Sequence, residues 1–174
     1  SLFLDTEGCV WATGGNGSGQ LGLGDRVYVT LMPTKIERLP SIKTVAAGYS
    51  HSLFLDRKGH VWATGANFNG QLGLSNNIRF LTVPTKINTL ASIKSVAAGH
   101  DHSLFLDNDA NVWATGNNED GQLGLGDKVS RQIPTKIKGL PRIIAVAAGS
   151  HHSLFLDEEG NVWASGKNDF GQLG

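Results

Sequence analysis

Three places in the chain bring a histidine, a serine and an aspartate together in short order: His51, Ser52 and Asp56; His102, Ser103 and Asp107; His152, Ser153 and Asp157. These are the parts of a nucleophilic triad, in which the imidazole takes the hydroxyl proton and the carboxylate orients the ring. Their spacing argues against that use. His51 and Ser52 are neighbours in an extended apolar stretch, where successive side chains point to opposite faces. A set that recurs this often is expected to be a structural hydrogen-bonding set, and no catalytic residue is assigned.

Two further chemistries fail on their own terms. His100, His102, His151 and His152 suggest metal binding, but histidines at equivalent positions of separate repeats stand too far apart for a shell of about 2.0–2.1 Å. Gly17-Ser18-Gly19-Gln20-Leu21-Gly22 fits the dinucleotide pattern G-x-G-x-x-G, yet no helix follows to supply the dipole that holds a pyrophosphate. The residues equivalent to Gly17 are Phe68, Glu119 and Asp169, so the match is accidental. No metal and no cofactor is expected.

These residues belong to a repeat. Trp11, Trp62, Trp113 and Trp163 are separated by 51, 51 and 50 residues, each within Val-Trp-Ala-Thr/Ser-Gly. Gly-Gln-Leu-Gly recurs from Gly19, Gly70, Gly121 and Gly171 with the same separations. The units run 1–51, 52–102, 103–152 and, in part, 153–174, and the first two agree at 30 of 51 positions. Each full unit reads as four short strands, in the second unit Ser52 to Leu55, Val61 to Thr64, Val83 to Ile87 and Ile93 to Ala97. A turn of the form Asp-x-x-Gly closes the first strand, and Pro84 suits an edge. Apolar spacing of three and four is nowhere sustained, so helix is not expected. Four strands in about fifty residues predict an all-β fold, a β-propeller of four-stranded antiparallel blades, present as about 3.5 of seven blades in one arc over residues 1–174. Ala97, Ala98 and Gly99 fit the narrow inner edge of such wedges, and Trp62 and Phe54 are expected to fill the gaps between blades. Sealing an indole there makes Trp62→Ala cost about 3–5 kcal/mol.

Composition removes other classes. Fifteen basic residues balance fifteen acidic ones, so no global field recruits nucleic acid or anionic lipid directly. Lys35, Lys86 and Lys136 repeat, but interleaved acids favour a solvated face, and the stripe of Lys43 and Lys94 is broken by Ile144. Cys9 is alone, so no intrachain disulfide forms. The longest apolar run, Ile143 to Ala148, is six residues, far below the roughly 18 of a membrane span. With no signal-peptide pattern, the expected location is intracellular, cytoplasmic or nuclear.

The order Val-Ala-Ala-Gly-x-x-His-Ser-Leu-Phe-Leu-Asp, then Gly-x-Val-Trp-Ala-Thr-Gly-x-Asn-x-x-Gly-Gln-Leu-Gly, resembles the regulator of chromosome condensation repeat across the whole chain. Kelch repeats carry a Gly-Gly pair in every blade, which appears here only at Gly14-Gly15, and WD repeats are shorter. The resemblance implies a seven-bladed ring. It also implies a range of roles: exchange factors for the GTPase Ran, substrate-binding modules of large ubiquitin ligases, other scaffolds, an ultraviolet-B photoreceptor. Departures narrow these. No insertion supplies the β-wedge used in Ran exchange, and Tyr49, His100 and Ser150 stand where the photoreceptor has tryptophans. Ala110 replaces the turn glycine of the third unit, at a cost of about 1 kcal/mol if that position is left-handed.

Partner-specific signal lies where the units differ. Between Gly-Leu-Gly-Asp and Pro-Thr-Lys they read Arg26-Val27-Tyr28-Val29, Asn77-Ile78-Arg79-Phe80 and Lys128-Val129-Ser130-Arg131. Tyrosine, phenylalanine and arginine are favoured at protein interfaces. Arg26, Tyr28, Arg79, Phe80, Lys128 and Arg131 are therefore the candidate partner-binding residues, while the four tryptophans and His51, His102 and His152 are structural. The expected function is a non-catalytic protein-interaction scaffold, with nucleotide exchange on a Ran-type small GTPase as the alternative. Seven units need about 357 residues, so a fragment of a longer chain is expected, with homo-oligomerisation through open blade faces as the other route.

Overall fold

Short β-branched and aromatic stretches divided by glycine turns form fourteen strands in a computed structural model that describes residues 1–74 and 78–174. No helix occurs among the described residues, hence none long and apolar enough to cross a membrane. The strands pair into four antiparallel sheets, here blades I to IV. Blade I holds β1 (Leu2–Leu4), β2 (Val10–Gly15) and β3 (Val29–Lys35); blade II holds β4 (Ile42–Ala47), β5 (His51–Asp56), β6 (Val61–Ala66) and β7 (Phe80–Lys86). Blade III holds β8 (Ile93–Ala98), β9 (His102–Asp107), β10 (Val112–Gly116) and β11 (Arg131–Lys136); blade IV holds β12 (Ile143–Ala148), β13 (His152–Asp157) and β14 (Val162–Gly166).

The blade is offset by one strand from the unit counted in sequence. The Val-Ala-Ala-Gly strand that ends one unit is the inner strand of the next blade, paired to its His-Ser-Leu-Phe-Leu-Asp strand by Val45↔Phe54 and Val96↔Phe105. The inner strands β4, β8 and β12 stand side by side, which their alanines permit.

Alternation gives every blade two different faces. In blade II, Leu53, Leu55, Val61 and Ala63 pack toward Phe105 and Trp113 of blade III. Phe54 and Trp62 pack toward Val10 and Ala12 of blade I. The same Leu-Val-Ala face of blade III meets Phe155 of blade IV. Each seam is thus a head-to-tail joint of unlike surfaces, and β5 and β9 are buried along their whole length.

The indoles depart from the sequence expectation. Trp62 and Trp113 are half-buried rather than sealed, although both stand in closed seams. The cause is a polar anchor. Each indole N–H reaches back to the turn aspartate six residues earlier: 3.2 Å to Asp5, 3.5 Å to Asp56, 3.0 Å to Asp107 and 2.9 Å to Asp157. That holds the ring at the blade end, so the loss at Trp62→Ala falls to about 2–3 kcal/mol. Phe54, as expected, and Phe105 are fully buried in the gaps, with Trp62 and Trp113 packed at their margins.

Candidate functional site

Strand alternation sorts the connections onto two ends of the arc. One end carries the short inner loops 48–50, 99–101 and 149–151 and the long connections β2–β3, β6–β7 and β10–β11; the other carries the aspartate turns. The histidines, the serines, the glycine-rich loops and the candidate partner-binding residues lie on the loop end, whereas Lys35, Lys86 and Lys136 stand beside Trp11, Trp62 and Trp113 toward the aspartate turns.

The histidines and serines do meet there, across blades rather than within one. His51 Nε2 lies 2.9 Å from Ser103 Oγ, and His102 Nε2 lies 3.0 Å from Ser153 Oγ. Ser103 Oγ donates to the Gln71 carbonyl and Ser153 Oγ to the Gln122 carbonyl, both at 2.7 Å. A serine has one proton, and it is used there; the imidazole Nε2 must therefore be the donor to the serine. The rings are neutral with Nδ1 unprotonated, and both Nδ1 atoms are buried without a hydrogen-bond partner. Burial holds His51 and His102 at a pKa of about 4, well below the usual 6.5, and for His102 the neighbouring His51 adds to the effect.

This arrangement cannot perform acyl transfer. The imidazole already gives a proton to the serine, no carboxylate orients Nδ1, and Asp56 lies at the far end of β5. Five residues of strand put it about 17 Å away. His51 and His102 are fully buried, and Ser103 and Ser153 with them. The relay is a bolt between blades. Glycine is part of it: a β-carbon at Gly48, Gly99 or Gly149 would stand 2.5 Å from Nδ1 of His51, His102 or His152.

The glycine-rich loop is equally structural. Asn16 Oδ1 accepts the Leu21 N–H at 2.7 Å, curling the segment so that Leu21 enters the seam with blade II. Gly19, at φ +80°, lies so close to β7 that a β-carbon would come within 2.8 Å of Thr82 Cα. The next blade fills the space a pyrophosphate would need.

What remains free on this end differs from blade to blade. Tyr28 is 76% and Phe80 52% exposed, and Arg26, Arg79 and Lys128 are exposed beside them. Asn77 lies outside the described residues. Arg131 is different: its guanidinium pairs with Asp127 at 2.6 Å and also donates to the Val129 carbonyl, so it shapes its own loop. The sequence reading missed a second group near the axis. Tyr49 stacks on His100 with ring centroids 4.0 Å apart and 14° between planes, and His100 stacks on His151 at 5.3 Å. Asp101 holds the stack, accepting from His100 Nδ1 at 2.8 Å and from Gln71 Nε2 at 2.9 Å. Below it opens a cavity of about 350 Å³ walled by the last alanine of β4, β8 and β12 and the glycine that follows each. The signal was present in sequence as the only variable positions between Val-Ala-Ala-Gly and His. His151 sits one place later than Tyr49 and His100, so no repeat alignment brings the three together. Among the described residues no three His, Cys, Asp or Glu side chains are grouped to hold a metal ion.

Comparison with known proteins agrees with this geometry. The family profile of the RCC1-like domain matches residues 1–174. Human protein RCC2 is 39% identical over 127 residues, covering 71% of this chain and 24% of RCC2. The probable E3 ubiquitin-protein ligase HERC6 of human is 36% identical over 129 residues, covering 72% of this chain and 13% of that protein. The solved structure of Prp20p from Saccharomyces cerevisiae, described with its binding properties to Gsp1p and histones, superposes with a TM-score of 0.83 at 30% identity, covering 95% of this chain and 42% of Prp20p. The chain thus spans about a quarter of RCC2 and less than half of Prp20p.

Proposed function

The chain belongs to the RCC1-like domain family, and from that premise we propose that it is a non-catalytic protein-interaction module that docks its partner on the loop end. One observation carries the reading. The repeated polar groups are consumed in holding blades together, while the exposed aromatic and cationic residues are the ones that differ between near-identical blades. Tyr28, Phe80, Arg26, Arg79 and Lys128 supply anchors of the types that dominate protein interfaces, and the Tyr49–His100–His151 stack extends that surface inward. The partner is a protein, met in the cytoplasm or nucleus.

Exchange on a Ran-type GTPase is the second reading, favoured by the resemblance to Prp20p, which is described with its binding to Gsp1p. Such exchange needs no catalytic side chain; it works by binding the GTPase and displacing its nucleotide. A nucleotide-release assay with Ran separates the two. The scaffold reading predicts no acceleration at micromolar protein, and a clear acceleration replaces it with the exchange reading.

A further inference from the structure

The opposite end of the arc carries one site that its repeats do not share. Between the β3–β4 connection and the β5–β6 turn, at the mouth of the seam between blades I and II, Pro40, Trp62 and the Arg57 stem wall a mostly apolar cleft of about 430 Å³. Arg57, Lys58 and His60 rim it, and Ser41 and the Asp56 carboxylate complete the lining.

The turns that form this edge differ in charge. After the turn aspartate the blades read Thr6-Glu7, Arg57-Lys58, Asn108-Asp109 and Glu158-Glu159, so blade II alone is basic. The arginine is also free of a carboxylate. In blade IV, Arg142 Nε pairs with Glu158 at 3.3 Å. In blade II the guanidinium meets only a hydroxyl: Arg57 Nε donates to Ser41 Oγ at 3.1 Å, and Ser41 Oγ donates onward to the Glu7 carbonyl at 3.1 Å. Among the described residues neither Arg57 nor Lys58 forms an ion pair, yet the first is held in place. Asp56, which lines the cleft with them, pairs with His60 rather than with Arg57 or Lys58. Burial raises its pKa, but the His60 N–H and ring, the Lys58 N–H and the Trp62 indole donate to the carboxylate and bring it below the usual range.

We propose that this cleft is a docking site for an acidic peptide segment of a partner protein. A large apolar side chain of the segment lies on Trp62 and Pro40, and its flanking carboxylates pair with Arg57 and Lys58. Charge complementarity and an anchored, carboxylate-free guanidinium beside an indole select that occupant. The site is independent of the loop end, so either can fail without the other.

The test titrates the intact protein with a fluorescein-labelled Glu-Glu-Phe-Glu-Glu peptide, its Gln-Gln-Phe-Gln-Gln analogue and an oligouridylate of equal charge, reading anisotropy and indole emission. The acidic peptide is expected to bind at least tenfold tighter than the neutral one. Arg57→Glu/Lys58→Glu, which copies the blade IV turn, is expected to weaken it at least tenfold, and Lys58→Glu alone severalfold should the double variant fold poorly. Lys128→Glu, on the loop end, is expected to leave it unchanged. Equal affinity for the neutral peptide overturns the proposal, as does undiminished binding by folded charge-reversed variants, absence of saturation at millimolar peptide, or tighter binding of the oligouridylate.

Discussion

Ala110 holds a left-handed backbone, φ +68°, at the turn position where blades I, II and IV have Gly8, Gly59 and Gly160 at φ +81° to +89°. An L-residue pays about 1–2 kcal/mol there, against which the buried methyl recovers part. Ala110→Gly is expected to raise stability by about 0.5–1 kcal/mol in urea titration; a loss would mean that the methyl outweighs the strain. Gly99 is the converse case. Its φ is ordinary, but a β-carbon would collide with the His102 ring. Gly99→Ala should cost about 2–3 kcal/mol, and a neutral result would show that the ring is free to move. Only the first of these was visible in the sequence, where Ala110 broke a glycine repeat. The second needs to know that the histidine three residues on folds back over the glycine.

The relay between blades ties stability to pH. His51 and His102 are neutral when folded, with pKa values near 4, and return to about 6.5 when unfolded. Between those values the unfolded chain binds more protons, so their contribution is complete above pH 6.5 and drains away as pH falls toward 4. Each histidine then contributes a loss on the order of 3 kcal/mol. Urea midpoints should hold from pH 7.5 to about 6.5 and then fall steadily to pH 4.5; a flat profile to pH 5 would contradict the neutral, buried assignment. At the other end of the strands, Asp107 Oδ1 and Oδ2 gather the N–H groups of Asp109 and Asn111, the Asn111 amide and the Trp113 indole. Asp107→Ala strands four donors and should cost about 2–4 kcal/mol, read as a lowered melting temperature. Most strand ends were legible within about two residues, because period and turn glycines mark them, but β7 begins at Phe80, three residues before the expected Val83. Their grouping was not. Self-comparison finds a period but not its phase, and only the hydrogen-bond ladder shows that Ile42–Ala47 belongs with His51–Asp56.

The faces of the arc follow one rule, a Leu-Val-Ala surface receiving a Phe-Trp surface, and both kinds are presented at its flanks. Blade I shows Phe3, 48% exposed, and Trp11; blade IV shows Val162, 64% exposed, where the equivalent Val61 and Val112 are buried. Residues 1–174 produced alone are expected to self-associate head to tail in sedimentation velocity, and Val162→Lys to weaken that association. A monodisperse monomer at high concentration would count against it. The sequence reading placed function in the differences among repeats, and the structure puts Tyr28, Phe80, Arg26, Arg79 and Lys128 in the open, as that reading needs, with Arg131 turned to its own loop. It did not reach the Tyr49 stack or the Arg57 cleft, since each joins side chains from separate repeats or connections.

The most direct test compares one affinity in two proteins. With a partner identified by affinity capture, its Kd is measured by calorimetry for the native chain and for Tyr28→Ala/Phe80→Ala/Lys128→Glu. We expect at least a tenfold loss of affinity with an unchanged melting temperature. An unchanged Kd in the equally stable variant would show that Tyr28, Phe80 and Lys128 are not where this protein meets its partner.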